Sequence, residues 1–471
     1  MPRPFLSGLL SVVLPGAGQI YAGRLGRGLA ILVATLAAVA GAVWYALRSG
    51  SSLADDIVSL DVLLGLLVAN GVVLVVRFWV AADAYAIAAR ERRRSLGRSS
   101  PVVAGISLAA LAFVVVTPHA LVGWGTWLTY DTIDTVFAEE EPQDVLTPEQ
   151  LVLATVPTPR ATGTGQALMG DRVIAEPEPP RPEPRNWTTF LLIGGDAGYQ
   201  RSGLRADTLI AVSVQANTGR AAIFSVPRNL QMFPLAGEAG AAYGTFPGIL
   251  NALYRFAQSR PELFPGGKDP GATALKQTVS NLLGIQVHYY LLVDLRGFVE
   301  VVDALGGIRM TAPDSVNDLT SPAYPGEPWT DIVVTGGTVV ELDGRHALAY
   351  ARSRSASSDY TRMVRQRCVL AAMARRVQSM RTFRSIHRLS EAAKAFAATD
   401  IPRGRLPRIV RLLRGVDPYR TLAVTFTPPE YAVYAPDLGE YRATVQRLLH
   451  ARLDKLRRAG LRAVAGLCPE P

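Results

Sequence analysis

Cysteine is almost missing from this chain of 471 residues: Cys368 and Cys468 are the only two. A framework of several disulfides is therefore excluded. Lysine is scarce as well, four residues against forty-five arginines, so arginine carries nearly all of the net charge of +10. A bias that strong reflects genome composition as readily as function, and arginine abundance by itself is a weak phosphate-binding signal. There are five histidines and none stands in an HExxH spacing, which excludes that zinc-protease helix. The phosphate-cradling GxxxxGK(S/T) loop and the GxSxG nucleophile elbow are absent too, so neither a P-loop nucleotidase nor a hydrolase of that type fits.

Apolar sequence, by contrast, is plentiful. Hydrophobic residues make up 49% of the chain and the mean hydropathy is +0.19. The length exceeds one ordinary domain. Residues 28–47, 60–80 and 102–124 are each long and apolar enough to cross a bilayer, the third interrupted by Pro118 and His119. Residues 5–14 are apolar but too short to span, and no small-residue cleavage site marks them as a leader. PGAGQIYAGRLGRG, residues 15–28, reads as a tight Gly-rich re-entry before the first span.

Charge orients these spans. Arg3, Arg24 and Arg27 precede the first, and Asp55, Asp56 and Asp61 lie between the first and second. Arg90, Arg92, Arg93, Arg94 and Arg98 lie between the second and third, and acidic residues follow the third. Basic loops stay cytoplasmic, so a multi-pass cell-membrane protein with everything after Trp124 outside is expected. Both cysteines then lie outside, where a Cys368–Cys468 disulfide tying the C-terminus to a long helix is expected. The basic balance suits a membrane surface or phosphate substrates. Nucleic acid is not an expected partner, because the positive charge is split between a membrane-proximal segment and the C-terminal part.

Four regions follow: a membrane segment of about three helices, 1–125; a Pro/Thr/acidic linker, 126–185, ending in EPEPPRPEPR; a main domain, 186–380; and an extension packed on it, 381–471. In the main domain, β-branched runs at 188–193, 208–214 and 221–226 read as strands. Helical patterns at 246–258, 271–283, 295–305, 344–350 and 358–380 alternate with further strands near 287–293, 308–311 and 331–342, and 313–330 reads as loop. The fold class is mixed α/β, a central sheet flanked by helices. In the extension two helices, a strand at 421–426 and a last helix at 439–459 are expected.

The chemistry sits at strand ends. Asp196 closes the first strand, Asp207 opens the second and Arg228 follows the third. Paired carboxylates beside arginines suit a divalent metal holding a phosphate or pyrophosphate. A second constellation is YARSRSASSDYTRMVRQR. Arg352 and Arg354, two apart, point the same way in extended chain. Asp359, Arg362, Arg365 and Gln366 share one face of a helix start that Asp359 is placed to cap. Leu250, Leu253, Leu282, Leu283, Phe298, Val301 and Val302 are candidates to line an apolar tunnel, with core packing the default. His288 and His346 read as structural or surface residues.

FLLIGGDAGYQRSGLRADTLIAVSV, IFSVPRN, LGIQVHYYLLVDLRGFVEVVDALGGI and LDGRHALAYARSR with DYTRMVRQR stand in one order over 186–377. Together they resemble the LytR–CpsA–Psr family, and residues 251–279 resemble its actinobacterial branch. The resemblance implies a Mg²⁺-dependent phosphotransferase. It would move a glycopolymer from a polyprenyl-pyrophosphate carrier onto a peptidoglycan hydroxyl, forming a phosphodiester and releasing polyprenyl phosphate. It implies Asp196 and Asp207 as Mg²⁺ ligands. It implies Arg228, Arg352, Arg354 and Arg362 as phosphate clamps, Gln366 beside them, and Asp359 as the acid before the RxxRQ turn. Arg205 and Arg365 join the pyrophosphate set, and Asp207 and Asp359 are both candidate bases. Three departures stand out. Asn229 replaces a frequent Asp, residues 198–204 lack an SDSR pattern for which Arg201 and Arg205 would substitute, and three spans replace the usual one. Other readings are a non-catalytic polyprenyl-phosphate-binding sensor or scaffold, or a polyprenyl pyrophosphatase.

Overall fold

The structure is a computed structural model. It describes residues 3–49, 59–96, 100–139, 186–196, 204–216, 218–322, 326–355, 358–379, 383–416, 421–450 and 468. The 140–185 linker, Arg201 and the expected helix beyond 450 lie outside these. Two compact units divide the chain at Thr135/Val136.

In the first unit a short helix α1 (Pro4–Val13) and α2 (Ala17–Tyr21) precede three long helices, α3 (Leu25–Ser49), α4 (Leu60–Leu96) and α5 (Pro101–Val136). The three long helices are apolar enough to cross a membrane by length and composition. The Gly-rich run makes the α1–α2 turn. A Cβ on Gly18 would stand 1.9 Å from the Ser7 carbonyl oxygen, so only glycine permits the approach. Buried polar bonds then fix the turn to α4: Gln19 Nε2 donates to the Val80 carbonyl at 2.9 Å and to Asp83 Oδ2 at 3.1 Å. Helix α5 runs through Pro118 and on to Val136, past the boundary at 125 expected from hydropathy.

The second unit is built on a mixed six-stranded sheet. Its first strands are β1 (Trp187–Gly195), β2 (Ala206–Gln215) and β3 (Ala221–Val226), antiparallel in turn. Strand β1 is buried on both faces for most of its length, which is why it reads as a continuous apolar run rather than an alternation. Two short helices, α6 (Gly237–Tyr243) and α7 (Leu253–Gln258), follow, then α8 (Pro270–Leu283), capped by Asp269 and closed by Gly284 at φ 65°. Strand β4 (Tyr289–Asp294) returns parallel to β1, and α9 (Leu295–Ala304) leaves it.

Two small sheets come next. Strand β5 (Ile308–Thr311) lies within the chain before a hairpin of β6 (Val316–Thr320) and β7 (Thr330–Val334), and β8 (Val339–Leu342) pairs with β5. The strand β6 was expected as loop. Its VNDLT sequence turns only Val316 fully inward, so it carries little apolar alternation. Helices α10 (Gly344–Arg352) and α11 (Asp359–Ser379) follow.

The C-terminal part is α12 (Phe383–Phe396), β9 (Ala397–Thr399), α13 (Leu406–Arg414), β10 (Leu422–Thr425) and α14 (Leu438–His450). It is not an appendage to a domain that ends at 380. The sheet order is β10-β3-β2-β1-β4-β9, so this segment supplies both edge strands. Leu438, Tyr441, Val445 and Leu448 of α14 are buried in the same core as Leu191, Phe224 and Leu275. A second core joins β5–β8 to α10 and α11. The tunnel candidates are divided between these cores: Leu250, Leu253, Leu282 and Leu283 pack in the first, Val302 and Phe298 in the second. Cys368 and Cys468 are bonded, Cα atoms 5.2 Å apart across a separation of 100 residues.

Candidate active site

Three strand ends converge on one rim of the sheet. At the end of β1 the register shifts between Gly194 and Gly195. A Cβ on Gly194 would lie 2.8 Å from Thr208 Cβ and one on Gly195 2.6 Å from a Leu204 methyl, so glycine lets β1 and the start of β2 close together. The Asp196 N–H then donates to the Arg205 carbonyl at 2.8 Å, which sets Asp196 and Asp207 on neighbouring strand ends. Asp196 is buried. Pro227 and Arg228 leave β3 on the same rim. The Arg228 carbonyl accepts from the Asn251 N–H at 3.0 Å, which carries Asn251 to the site.

Arg228 is the hinge of the cluster. Its Nη1 donates to Asp207 Oδ1 at 2.8 Å and its Nη2 to Asp359 Oδ1 at 3.0 Å. Arg362 donates to the same Asp359 oxygen through Nε at 3.2 Å and Nη2 at 3.0 Å. Asn251 Nδ2 reaches Asp207 Oδ1 at 3.3 Å. Gln366 lines the same crevice with Asp207, Arg228 and Arg362. The sequence pattern missed Asn251, because an Asn inside an apolar helical run carries no local signal.

Burial alone would raise the Asp207 carboxyl, but the Arg228 guanidinium beside it, with Asn251 and Arg362, holds it below its ordinary 3.8. Burial pulls Arg228 down, and its two carboxylate partners more than offset this, leaving it above its usual value. For Arg362, burial and then the neighbouring Arg228 charge win over Asp359, and its pKa is lowered. Among the described residues, the hydrogen bonds to the two carboxylates fall on Oδ1. Asp359 Oδ2 is buried without a protein partner among the described residues. An unpartnered buried acceptor is costly, so that atom is set up for a cation or a donor that the protein itself does not supply.

The remaining expected site residues differ in their surroundings. Asp359 does not cap α11. Ser358 does, accepting from the Thr361 N–H at 3.2 Å, which leaves the Asp359 carboxylate to the arginines. Arg352 is not in extended chain: α10, capped by Asp343, continues through it, and its Nη1 donates to the Ser321 carbonyl at 3.1 Å. The shared direction expected for Arg352 and Arg354 rested on extended backbone and is lost. Arg354 is exposed, and no hydrogen bond ties it to the cluster among the described residues. Arg205 is exposed at the start of β2. Arg365 is fully buried, donating to Asp314 Oδ2 at 3.0 Å and the Ser353 carbonyl at 2.5 Å, with its guanidinium 5.6 Å from the Tyr350 ring centre. It struts the second core rather than the rim. Asn229 Oδ1 is buried and has no hydrogen-bond partner among the described residues. His288 Nδ1 accepts from the Thr189 N–H, a structural contact.

The geometry defines a class: a mixed α/β domain with guanidinium and carboxylate groups interleaved on one sheet rim, carried by a chain with three long apolar helices. Residues 166–437 match the model of the LytR_cpsA_psr family, and the chain belongs to that family. The match runs past both ends of the 186–377 stretch that carries the motifs.

The chain is 29% identical over 218 residues to the polyisoprenyl-teichoic acid–peptidoglycan teichoic acid transferase TagV of Bacillus subtilis (strain 168), covering 45% of this chain and 49% of that one. It is 31% identical over 184 residues to the transferase TagU of the same strain, covering 39% and 49%. It is 28% identical over 234 residues to the cell wall biosynthesis protein LcpA of Corynebacterium glutamicum, covering 44% and 43%. The chain spans about half the length of these curated relatives. Against the crystal structure of B. subtilis TagV the TM-score is 0.42 at 25% identity, covering 57% of this chain and 100% of that one.

Proposed function

We propose that this protein is a membrane-anchored, extracytoplasmic phosphotransferase that moves a glycopolymer from a polyprenyl-pyrophosphate carrier onto a peptidoglycan hydroxyl. The acceptor oxygen bonds to the phosphorus bearing the glycopolymer, the bond to the bridging oxygen breaks, and polyprenyl phosphate departs. The observation that carries the reading is Arg228, shared at 2.8 and 3.0 Å between Asp207 and Asp359 and backed by Arg362. Fixed guanidinium donors of this kind stabilise charge spread over phosphoryl oxygens without reorganising. Arginine stays protonated at working pH, so Arg228 and Arg362 clamp and do not act as bases.

A divalent cation fits the residues present. Arg228 and Arg362 are balanced in charge by Asp207 and Asp359, so these four groups among the described residues offer a pyrophosphate no surplus positive charge. Among the described residues no three His, Cys, Asp or Glu side chains are grouped to hold a metal. Two hard carboxylates plus substrate oxygens suffice for Mg²⁺, and Asp196 and Asp207, on adjacent strand ends, are the residues that would hold it. When bound it would supply neutralising charge at the phosphates. Asp207, kept ionised below its ordinary range, suits that task better than proton abstraction. Asp359 Oδ2, without a protein donor among the described residues, is the better atom to receive the acceptor's proton.

Transfer is tested with the full chain in nanodiscs, a defined polyprenyl-pyrophosphate-linked glycopolymer and soluble peptidoglycan, with and without Mg²⁺. Phosphodiester-linked polymer on peptidoglycan, lost on chelation and in Arg228→Ala, is expected. Release of polymer to water even when acceptor is abundant would convert the reading to a pyrophosphatase. Donor binding without turnover would convert it to a sensor.

A further inference from the structure

The β6–β7 hairpin has one face in the second core and one in water. Val316, Ile332 and Val334 point inward. The outward face carries Leu319 at 59%, Val333 at 68% and, in the same alternation just before β7, Trp329 at 61% exposure. Leu319 pairs with Asp331, so Trp329 and Val333 flank it diagonally. Asn317, opposite Val333, and Asp331 are exposed among them. Solvating three large apolar side chains on so small a sheet is unfavourable, and nothing in the hairpin's own packing requires it.

We propose that this face is the platform on which the acceptor glycan lies, a neutral sugar chain stacked on Trp329. The inference rests on the transferase reading and names an acceptor subsite for it. Three observations select the occupant. The chain from 310 to 344 contains no Lys or Arg and six Asp or Glu. Asp314 and Glu341 are paired with Arg365 and Arg309, and Asp331 is exposed on the outward face itself, so residues 310–344 offer an anionic lipid headgroup or polymer no cation of their own and suit a neutral partner. The face mixes an aromatic ring and aliphatic groups with a carboxamide and a carboxylate. Such a surface matches a pyranose, whose axial C–H groups pack on rings while its hydroxyl and amide groups hydrogen-bond at the edge.

The platform is also bonded to the end of α10 and the residues just after it. Ser353 Oγ donates to Asp318 Oδ2 at 2.6 Å, Ser355 Oγ to the Asn317 carbonyl at 2.9 Å, and Arg352 to the Ser321 carbonyl at 3.1 Å. The hairpin is thereby tied to the segment leading into α11, whose first residue is Asp359. A glycan strand on Trp329 lies on a hairpin bonded to the residues that precede α11.

The test is equilibrium binding of soluble, uncross-linked peptidoglycan oligomers to the full chain in nanodiscs, by calorimetry, for wild type, Trp329→Ala, Trp329→Phe and Leu319→Ser. Binding of polyprenyl pyrophosphate and the melting temperature are measured beside it. Trp329→Ala is expected to weaken oligomer binding about five- to tenfold, the size of one aromatic contact. Phe should restore most of it, and lipid binding and melting should not move. Unchanged oligomer affinity in Trp329→Ala, no oligomer binding by wild type, or a loss on the lipid side instead would each overturn the platform. Failure of wild type to transfer polymer while Trp329-dependent oligomer binding persists would sink the transferase reading and not the platform.

Discussion

A guanidinium that holds two carboxylates at once cannot be replaced by a point charge. Arg228 uses Nη1 for Asp207 and Nη2 for Asp359, two separate directions fixed by one planar group. Arg228→Lys keeps the charge and loses one of the two bonds. Transfer by Arg228→Lys should therefore fall at least about 100-fold, close to Arg228→Ala, as for loss of one preorganised donor. A single-turnover assay at saturating donor checks it, and near-wild-type rates for the lysine variant would show that charge alone matters. The same ion pair sets a pH dependence. Asp207 titrates lower folded than unfolded, so its contribution to stability is complete above the unfolded value of about 3.8 and is lost as pH falls through the lower folded value. Melting temperature against pH in the acid range should drop more steeply for wild type than for Asp207→Asn. Parallel curves would mean that the pair is not coupled to folding.

At the scale of elements, α11 does two jobs with residues three apart. Arg362 faces the rim, while Arg365 reaches away to Asp314 and the Ser353 carbonyl and so pins β6 and α10 to the helix. Arg365→Ala strands the Asp314 charge in a half-buried place, and removal of one partner of such a pair costs about 3–5 kcal/mol. Denaturant unfolding should register that loss, whereas Arg354→Ala, at an exposed position, should leave stability unchanged. The motif RMVRQR made both arginines look alike, because spacing along a helix gives a shared face but not the packing that divides it.

Other parts were legible for clear reasons. Strands β1–β3 carry dense β-branched runs, and Asp196, Asp207 and Arg228 sit at their ends, so three residues of the rim could be read directly. Strands β9 and β10 join the sheet beside β4 and β3, partners far away in sequence. AAT, the whole of β9, has no pattern to announce it. Arg352 misled through a single local error, since its direction follows from α10 running two residues further than its apolar residues suggested.

For the whole molecule, sidedness is the deepest constraint, because it decides what the site can meet and whether its disulfide can exist. Arg90, Arg92, Arg93 and Arg94 close α4, and acids at Asp131, Asp134 and Glu139 mark the other end of α5. If basic ends stay in the cytoplasm, the α/β unit is outside, where Cys368–Cys468 persists against cellular thiols. A closed loop of 100 residues limits the unfolded chain enough to contribute about 3–5 kcal/mol. Reductant should then lower the melting temperature of the purified chain by about 5–15 °C at this size. Sidedness itself is read by a membrane-impermeant maleimide on intact cells. Glu262→Cys, exposed on the α/β unit, should label at once, and Arg92→Cys only after permeabilisation. Labelling in the reverse order would place the site in the cytoplasm, away from peptidoglycan, and remove both the proposed acceptor and the oxidising surroundings that the disulfide requires.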